Sequence, residues 1–301
     1  MPDELMFLIN RNKPQHTTTA HMQNKVVVLT GATSGVGLET CKRLAMGQAH
    51  IVMVVRDQYK AEQVKASIVS KYPASIDIVI ADFSDLDDVR HAAKHILTHY
   101  PKIDALINCT GMHATKATHT KEGFEKVFCV NHLASFLLTQ LLLERIKTSS
   151  PARILQINSE GHRFNGLNID DIHWRKRHYT GLRGYGASKT AQLLTVWELD
   201  KQLVDSGVTI NAMHPGDVKS NIGHNNGWLY RTFSKFFIQP FLRDPATSAE
   251  AIYYLIADPK MSRVSGKYFH LTIEETPAKH ALDPVMQQKI YKLSMELTGL
   301  I

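Results

Sequence analysis

Short apolar runs rich in Val and Ile alternate along this chain with longer stretches in which apolar positions recur at helical spacing. The runs Lys25–Leu29, Ile51–Val55, Ile76–Ala81, Ala105–Asn108, Arg153–Asn158, Thr209–Met213 and Gly266–Leu271 read as strands. Helices are predicted between them, around Gly37–Met46, Gln58–Lys71, Leu86–His99, Gly123–Lys147, Tyr185–Leu203 and Ser248–Ala257, with a last one near Asp283–Leu297. Continuous apolar strands separated by amphipathic helices suit a parallel sheet covered on both faces. The pattern therefore predicts an α/β fold, one doubly wound parallel sheet of about seven strands with helices on both faces. No repeat, low-complexity tract or Pro/Gly/Ser linker divides the chain. Residues 24–301 are thus expected to form one domain and residues 1–23 a loosely held tail.

Composition narrows the function classes. The chain has 301 residues, 44% hydrophobic and 21% charged, which suits a globular core and excludes a fibrous or disordered protein. Its net charge of +7 is spread along the sequence, which favours a phosphorylated small molecule and gives no case for nucleic acid. Cys41, Cys109 and Cys129 are odd in number and form no CxxC pair, so neither a disulfide framework nor a thiolate metal site is supported. The first 23 residues hold no apolar signal core and no stretch of about 20 apolar residues. The expectation is a cytoplasmic protein with no integral membrane segment.

The first predicted strand, KVVVLT, runs into GATSGVGLETCKRLA, so Gly31, Gly35 and Gly37 lie in a turn between a buried strand and a helix start. Glycines there let the backbone turn tightly and approach a pyrophosphate, whose charge sits on the free N–H groups of the helix N-terminus. A glycine-rich turn alone is also an ordinary connection. Its position after the first strand of an alternating chain favours a dinucleotide, and hence a Rossmann-type sheet. The second predicted strand ends at Arg56, followed by Asp57. Arginine at this place pairs with a 2′-phosphate, whereas an acid would take the ribose 2′-OH. NADP(H) is favoured on Arg56, and Asp57 leaves NAD(H) open. Asp82, after the third predicted strand, either receives the adenine amino group or belongs to the cap of the next helix.

Tyr185 and Lys189 in GYGASKTAQLL are four apart on a helical pattern and so share one face. A phenol is a poor acid or base near neutrality, and a neighbouring ammonium would lower its pKa toward the operating range. Alone, YxxxK is as consistent with an exposed helix pair; its place after the fifth predicted strand favours chemistry. Ser159 ends RILQINS, where a strand's carboxyl end opens toward a ligand crevice; it either holds a substrate oxygen or caps a turn. Asn131 is a polar side chain in the otherwise apolar KVFCVNHLASFLLTQLLL and needs partners or water there. HPGDVKSNI adds a turn after the sixth predicted strand, with Ser220 as a phosphate or amide contact.

Taken together, these motifs resemble the short-chain dehydrogenase/reductases, in the right order, from about Lys25 to Leu297. TGATSGVG is similar to the family's TGxxxGxG turn, INCTG to NNAG, VNHLASFLLT to VNHLGxFxLT, and HPGDVKS to HPGxVxT; YGASK is YxxxK. The chain departs from the pattern at Cys109, Thr110, Asn158 and Ser220. The resemblance implies that Gly31, Thr33, Ser34, Gly35, Val36 and Gly37 hold the dinucleotide. It implies the same for Arg56, Asp82, Phe83, Asn108, Gly111, Tyr185, Lys189, Pro215, Gly216, Val218 and Ser220. It further implies that Tyr185 is the general acid in reduction, that Lys189 lowers its pKa and holds the nicotinamide ribose, and that Ser159 orients the substrate oxygen. Asn131 would hold a water in the proton relay.

VVRD, TKEGFEKVFCVNHLASFLLTQLLL and VSGKYF point within the family to the retinol dehydrogenase-like branch, which acts on retinoids, other lipophilic carbonyls or steroids, generally with NADP(H). The expected function is an NAD(P)(H)-dependent oxidoreductase interconverting an alcohol and an aldehyde or ketone, with an apolar small-molecule substrate and no metal. A catalytically silent NADP(H)-binding sensor is the alternative, which the intact Ser159, Tyr185, Lys189 and Asn131 set disfavours. Family assembly through the helices carrying Asn131 and Tyr185 leaves a homo-oligomer open.

Other features carry less. Residues 217–247 are expected to form a substrate lid, its aromatic stretch Gly227–Asp244 being an apolar substrate wall, ordinary packing or a weak peripheral membrane face. His91 and His95 have metal-ligand spacing without a third partner, and Trp174–His178 reads as a basic surface loop.

Overall fold

A computed structural model describes residues 13–216 and 244–301. Eight strands form one sheet: β1 (Val26–Thr30), β2 (His50–Val55), β3 (Ser75–Ile80), β4 (Ala105–Asn108), β5 (Ala152–Ile157), β6 (Val208–His214), β7 (Tyr268–His270) and β8 (Ile273–Glu274). Their order is β3-β2-β1-β4-β5-β6-β7-β8. The first seven pair in parallel, and β8 folds back antiparallel on β7. The sequence predicts about seven strands; the eighth is two residues long, too short to show an alternating pattern.

The helices are α1 (Gly35–Met46), α2 (Gln58–Val69), α3 (Leu86–His99), α4 (Lys126–Thr148), α5 (Gly181–Gln202), α6 (Pro245–Ala257) and α7 (Pro284–Leu297). Alternation along β1 shows why its run is apolar throughout. Val26 and Val28 face a core shared with α3, α4, α5 and α7, while Val27 and Leu29 face one shared with α1, α2 and α6. Each face is a hydrophobic layer worth about 1.5–3 kcal/mol per buried aliphatic side chain.

Several helix starts differ from the prediction, and two show why. Gly123 has φ 84°, incompatible with a helix, and α4 begins at Lys126 because Glu125 caps it, accepting from the Val127 and Phe128 N–H groups. Conversely α5 begins four residues before Tyr185: Thr180 accepts from the Arg183 N–H, and the low helix propensity of Gly181 and Gly184 hid this first turn in the sequence. Helix α4 is long and apolar enough to cross a membrane, but 83% of its most apolar window is buried within the fold.

The segment 13–23, expected as a loose tail, is tied down. The Gln15 carboxamide accepts from Thr272, His16 stacks on Tyr254, and Ala20 O accepts from the Tyr253 hydroxyl at 2.6 Å. Its anchors, Met22 apart, are polar, so no apolar periodicity announced them. The last part of the expected lid, 245–247, is the first turn of α6, capped by Asp244; residues 217–243 lie outside the described residues. Of the expected surface loop, Trp174 is buried beneath the Arg177 guanidinium, and Asp171 accepts from the backbone N–H groups of Arg175, Lys176 and Arg177.

Candidate active site

The order in which strands are added reverses between the parallel neighbours β1 and β4, and a crevice opens there at the carboxyl ends of the strands. It is a cleft of about 1100 Å³. At one end lie Gly31, Thr33, Ser34, Gly35, Val36 and Gly37, then Arg56 after β2, and Asp82 and Phe83 after β3. Gly111, Ser159, Tyr185, Lys189, Pro215 and Gly216 line its other end. Two residues assigned by resemblance, Asn108 and Asn131, are buried behind the cleft wall, and Val218 and Ser220 lie outside the described residues.

The glycine turn is built by backbone constraints. Gly31 has φ 70° and Gly35 φ 53°, in the left-handed region open to glycine. A Cβ on Gly37 would lie 2.2 Å from the Gly31 carbonyl oxygen, so the turn closes only with glycine there. Among the helices of the described residues, α1 alone starts with neither a side-chain cap bond nor an acidic residue in its first turn. Its orphan N–H groups face the cleft, where an anion satisfies them and the helix dipole favours negative charge. Thr30, which the sequence reading passed over, locks this turn to the next one: its Oγ1 accepts from both the Cys109 and Thr110 N–H groups at 2.9 Å.

After β2, Arg56 is joined on the cleft wall by Lys60, another residue the motifs did not point to. Asp57 is engaged as the cap of α2, accepting from the Lys60 N–H at 3.0 Å. Asp82 Oδ1 accepts from the Ser84 N–H and hydroxyl, while capping of α3 falls to Asp85. These glycines, cations and uncapped N–H groups fit a dinucleotide.

The reaction end is built by side chains from distant segments. Tyr185 hydrogen-bonds Ser159, and its ring lies against Gly161, where a Cβ would come within 2.8 Å of it. Ser159 Oγ also accepts from the Gly161 N–H at 3.1 Å. His113 meets Tyr185 edge-on with ring centroids 5.8 Å apart. Neither Gly161 nor His113 carries a sequence signal.

Lys189 is not where the spacing argument puts it electrostatically. Its Nζ lies 5.6 Å from the centre of the Tyr185 ring and donates to Ile157 O and Gln192 Oε1, each at 3.0 Å. Burial pushes the Lys189 ammonium down to about 7, partly offset by the Cys109 thiol, and pushes the Tyr185 phenol up to about 12, opposed by the Ser159 bond. Burial of both groups opposes the expected lowering of the phenol, and the ammonium shares its charge with the Ile157 carbonyl and the Gln192 amide.

Asn131 likewise has partners of its own. A π turn, Cys129–Leu133, interrupts α4 around it. Its Oδ1 accepts from the Met112 N–H at 2.7 Å, and its Nδ2 donates to Met112 O and Ser188 Oγ. The amide is therefore consumed in holding the loop after β4. Asn108 donates to Thr139 Oγ1 from behind that loop. Asn158, a departure from the family pattern, donates to Lys189 O at 2.9 Å.

The carboxylate of Glu160 and the imidazoles of His214 and His270 lie within 4.8 Å of one another, a grouping invisible in the sequence. Glu160 is ion-paired with buried Arg163 and accepts from the Tyr268 hydroxyl, which makes the trio part of an ionic cluster joining β5, β6 and β7. His95 stacks on His99, with ring centroids 4.0 Å apart.

The short chain dehydrogenase family model matches residues 25–227. Human "Retinol dehydrogenase 13" is 34% identical over 286 residues, covering 93% of this chain and 86% of that protein. Mouse "Retinol dehydrogenase 12" is 35% identical over 288 residues, covering 94% and 89%. Among solved structures, an uncharacterized protein from Mycobacterium paratuberculosis superposes with a TM-score of 0.77 at 27% identity, covering 95% of this chain and 98% of that one. A short chain dehydrogenase from Burkholderia cenocepacia, solved in complex with NADP, shares the fold with a TM-score of 0.66 at 20% identity, over 87% and 100% of the two chains. With a glycine turn, a Tyr/Lys/Ser cluster and a switch-point cleft in one frame, the chain belongs to the short chain dehydrogenase family, in its retinol dehydrogenase-like branch, and is an oxidoreductase acting on CH–OH and C=O groups.

Proposed function

We propose that the chain is an NADP(H)-linked oxidoreductase of a lipophilic alcohol or carbonyl, of the retinoid, steroid or fatty-aldehyde kind. The observation that carries this reading is the convergence of Tyr185, Ser159 and Lys189 on one cleft with the glycine turn. NADP(H) is favoured because two cations, Arg56 and Lys60, stand at the ribose end while the neighbouring acid, Asp57, is spent as a helix cap. Asp82, which lines the cleft at the same end as the glycine turn, is the proposed partner of the adenine amino group. The named substrate of the relatives and the apolar sequence of Gly227–Asp244 support a lipophilic substrate. The free cysteines suit a reducing, cytoplasmic setting.

When bound, the dinucleotide supplies hydride to the carbonyl carbon or takes it back. In reduction Tyr185 gives its phenolic proton to the carbonyl oxygen, and the Ser159 hydroxyl orients that oxygen. Tyr185 is left as a phenolate, which a cationic Lys189 stabilises until a solvent proton returns. Burial holds the Tyr185 phenol protonated but weakly acidic, so its proton transfer depends on the Ser159 hydrogen bond and on a cationic Lys189 beside the phenolate that forms. The test is a paired fluorescence titration of NADPH and NADH on wild type and Arg56→Ala, then oxidation of bound NADPH by apolar aldehydes and ketones. The expected result is a preference for NADPH that falls about 10-fold or more in the variant, the loss of one charge-assisted phosphate pair. An unchanged preference overturns the role of Arg56, and binding without turnover on any carbonyl overturns the reductase reading in favour of a sensor.

A further inference from the structure

Beneath the cleft, the Gln192 amide joins two groups that the family pattern connects through water. Its Oε1 accepts from Lys189 Nζ at 3.0 Å and from Asn158 Nδ2 at 3.1 Å, and its Nε2 donates to the main-chain carbonyl of Asn131. That carbonyl lies in the π turn and also accepts from Ser135 Oγ at 2.7 Å. Gln192 is one turn beyond Lys189 on α5 and is buried. On its far side is a small cavity of about 20 Å³, with Asn108, Ser135, Thr139, Gln156 and Thr195 among its polar walls. One side chain thus ties a reacting cation to the interrupted helix. An amide accepts at oxygen and donates at nitrogen but carries no readily transferred proton, so it holds Lys189 without passing protons to Asn131.

We propose that Gln192 is a positioning residue for the reaction: it fixes Lys189 Nζ at the cleft floor and sets its charge, occupying the place of a relay water between Lys189 and Asn131. This rests on the reading of Tyr185 and Lys189 as the acid–base pair. An acceptor with partial negative charge favours the ammonium over the amine. The other groups facing Lys189 are the Ile157 carbonyl, the Cys109 thiol and Tyr185, with His113 and His214 on the walls of the same cleft.

The test is the titration of Lys189 followed by NMR in the full, ligand-free chain labelled at lysine Cε, with the resonance assigned through Lys189→Arg. In Gln192→Leu the titration is expected to move downward by about half a unit or more. In Gln192→Glu, which sets a full negative charge beside Nζ, it is expected to move upward by about one unit or more. The cavity behind residue 192 gives both side chains room, and far-UV circular dichroism with the unfolding midpoint identifies the folded variant on which each reading is taken. The pH limb of kcat for carbonyl reduction is expected to move in the same directions. Lys189 titration unmoved in the folded variants overturns the proposal, whatever happens to activity, because a merely structural residue lowers kcat without moving it. Failure of the acid–base reading shows separately, as a Tyr185→Phe protein that turns over normally, and leaves the Lys189 titration as the direct readout of Gln192.

Discussion

The two ends of the cleft are built by different physics. At the glycine end the backbone is the binding group: positive φ at Gly31 and Gly35, the missing Cβ of Gly37 and the uncapped start of α1 define the site. At the reaction end side chains from β5, α4, α5 and the β4 loop hold one another, and no short segment contains the site. Backbone geometry is dictated locally, so it can be broken only by changing the residue that permits it. A side-chain network is dictated by long-range partners, so it responds to changes at residues that never touch the ligand.

The sharpest break between the two ends is Tyr185→Phe. Removing one hydroxyl is expected to lower kcat about 10³-fold, within the usual contribution of a general acid, while dinucleotide binding stays within about twofold. Stopped-flow turnover and fluorescence titration on the same preparation measure both. Loss of binding along with turnover would mean that the ends are not separable.

Gly161→Ala tests whether the reaction end depends on a residue that contacts no reacting atom. Its Cβ would lie 2.8 Å from the Tyr185 ring and must displace it. A phenol moved by about 1 Å is expected to cost roughly 10²-fold in kcat, again with binding intact. Activity within threefold of wild type would show that the ring has room to adjust.

Acid should weaken the reaction end selectively through His162. Its Nδ1 lies 2.8 Å from Ser159 O and its Nε2 accepts from the Ala278 N–H, so the ring is held neutral. Burial pushes its pKa down to about 3, and the buried His132 ring likewise. Between about pH 3 and 6.5 the unfolded chain binds protons that the folded one does not, so stability is full above that window and is lost as pH falls through it. Two units below 6.5, each ring contributes about 2–3 kcal/mol of lost stability. Urea unfolding at pH 7 and 4.5 measures this, and His162→Gln is expected to shrink the difference by roughly the 2–3 kcal/mol of its own ring. A loss as steep in the variant as in wild type would exclude His162 as a source.

The same division explains what the sequence revealed. The alternation of apolar runs gave the sheet and its helices because both faces of the sheet are buried and each strand had to be apolar throughout. Gly31, Gly35, Gly37, Arg56, Ser159, Tyr185 and Lys189 were legible because each sits at a strand end or on one helix face, where position follows from local spacing. What was not legible rests on contacts between segments far apart. Lys189 is held from below by Gln192, the Asn131 amide bonds Met112, Lys60 and His113 enter the cleft from neighbouring elements, and β8 is too short to have a period. The anchoring of residues 13–23 has the same cause, since its partners Thr272 and Tyr253 lie more than 200 residues away.

Thr30 belongs to both ends, and so gives the finest test of the contrast. It closes β1 before the glycine turn, yet its Oγ1 accepts the two N–H groups that open the loop after β4, the loop Asn131 holds from the other side. Thr30→Val keeps the shape and removes the acceptor, leaving two partly buried donors without it. Each unsatisfied donor costs about 1–3 kcal/mol unless water reaches it, and here the cleft supplies water. The expected loss of stability is therefore at the low end, about 1–2 kcal/mol by urea unfolding. Because a hydroxyl rather than a glycine fixes this junction, dinucleotide affinity should weaken by only about three- to tenfold, whereas kcat should fall with it as the loop against Met112 loosens. If affinity falls and kcat holds, the junction serves the backbone-built end alone; if kcat falls and affinity holds, it belongs to the side-chain network.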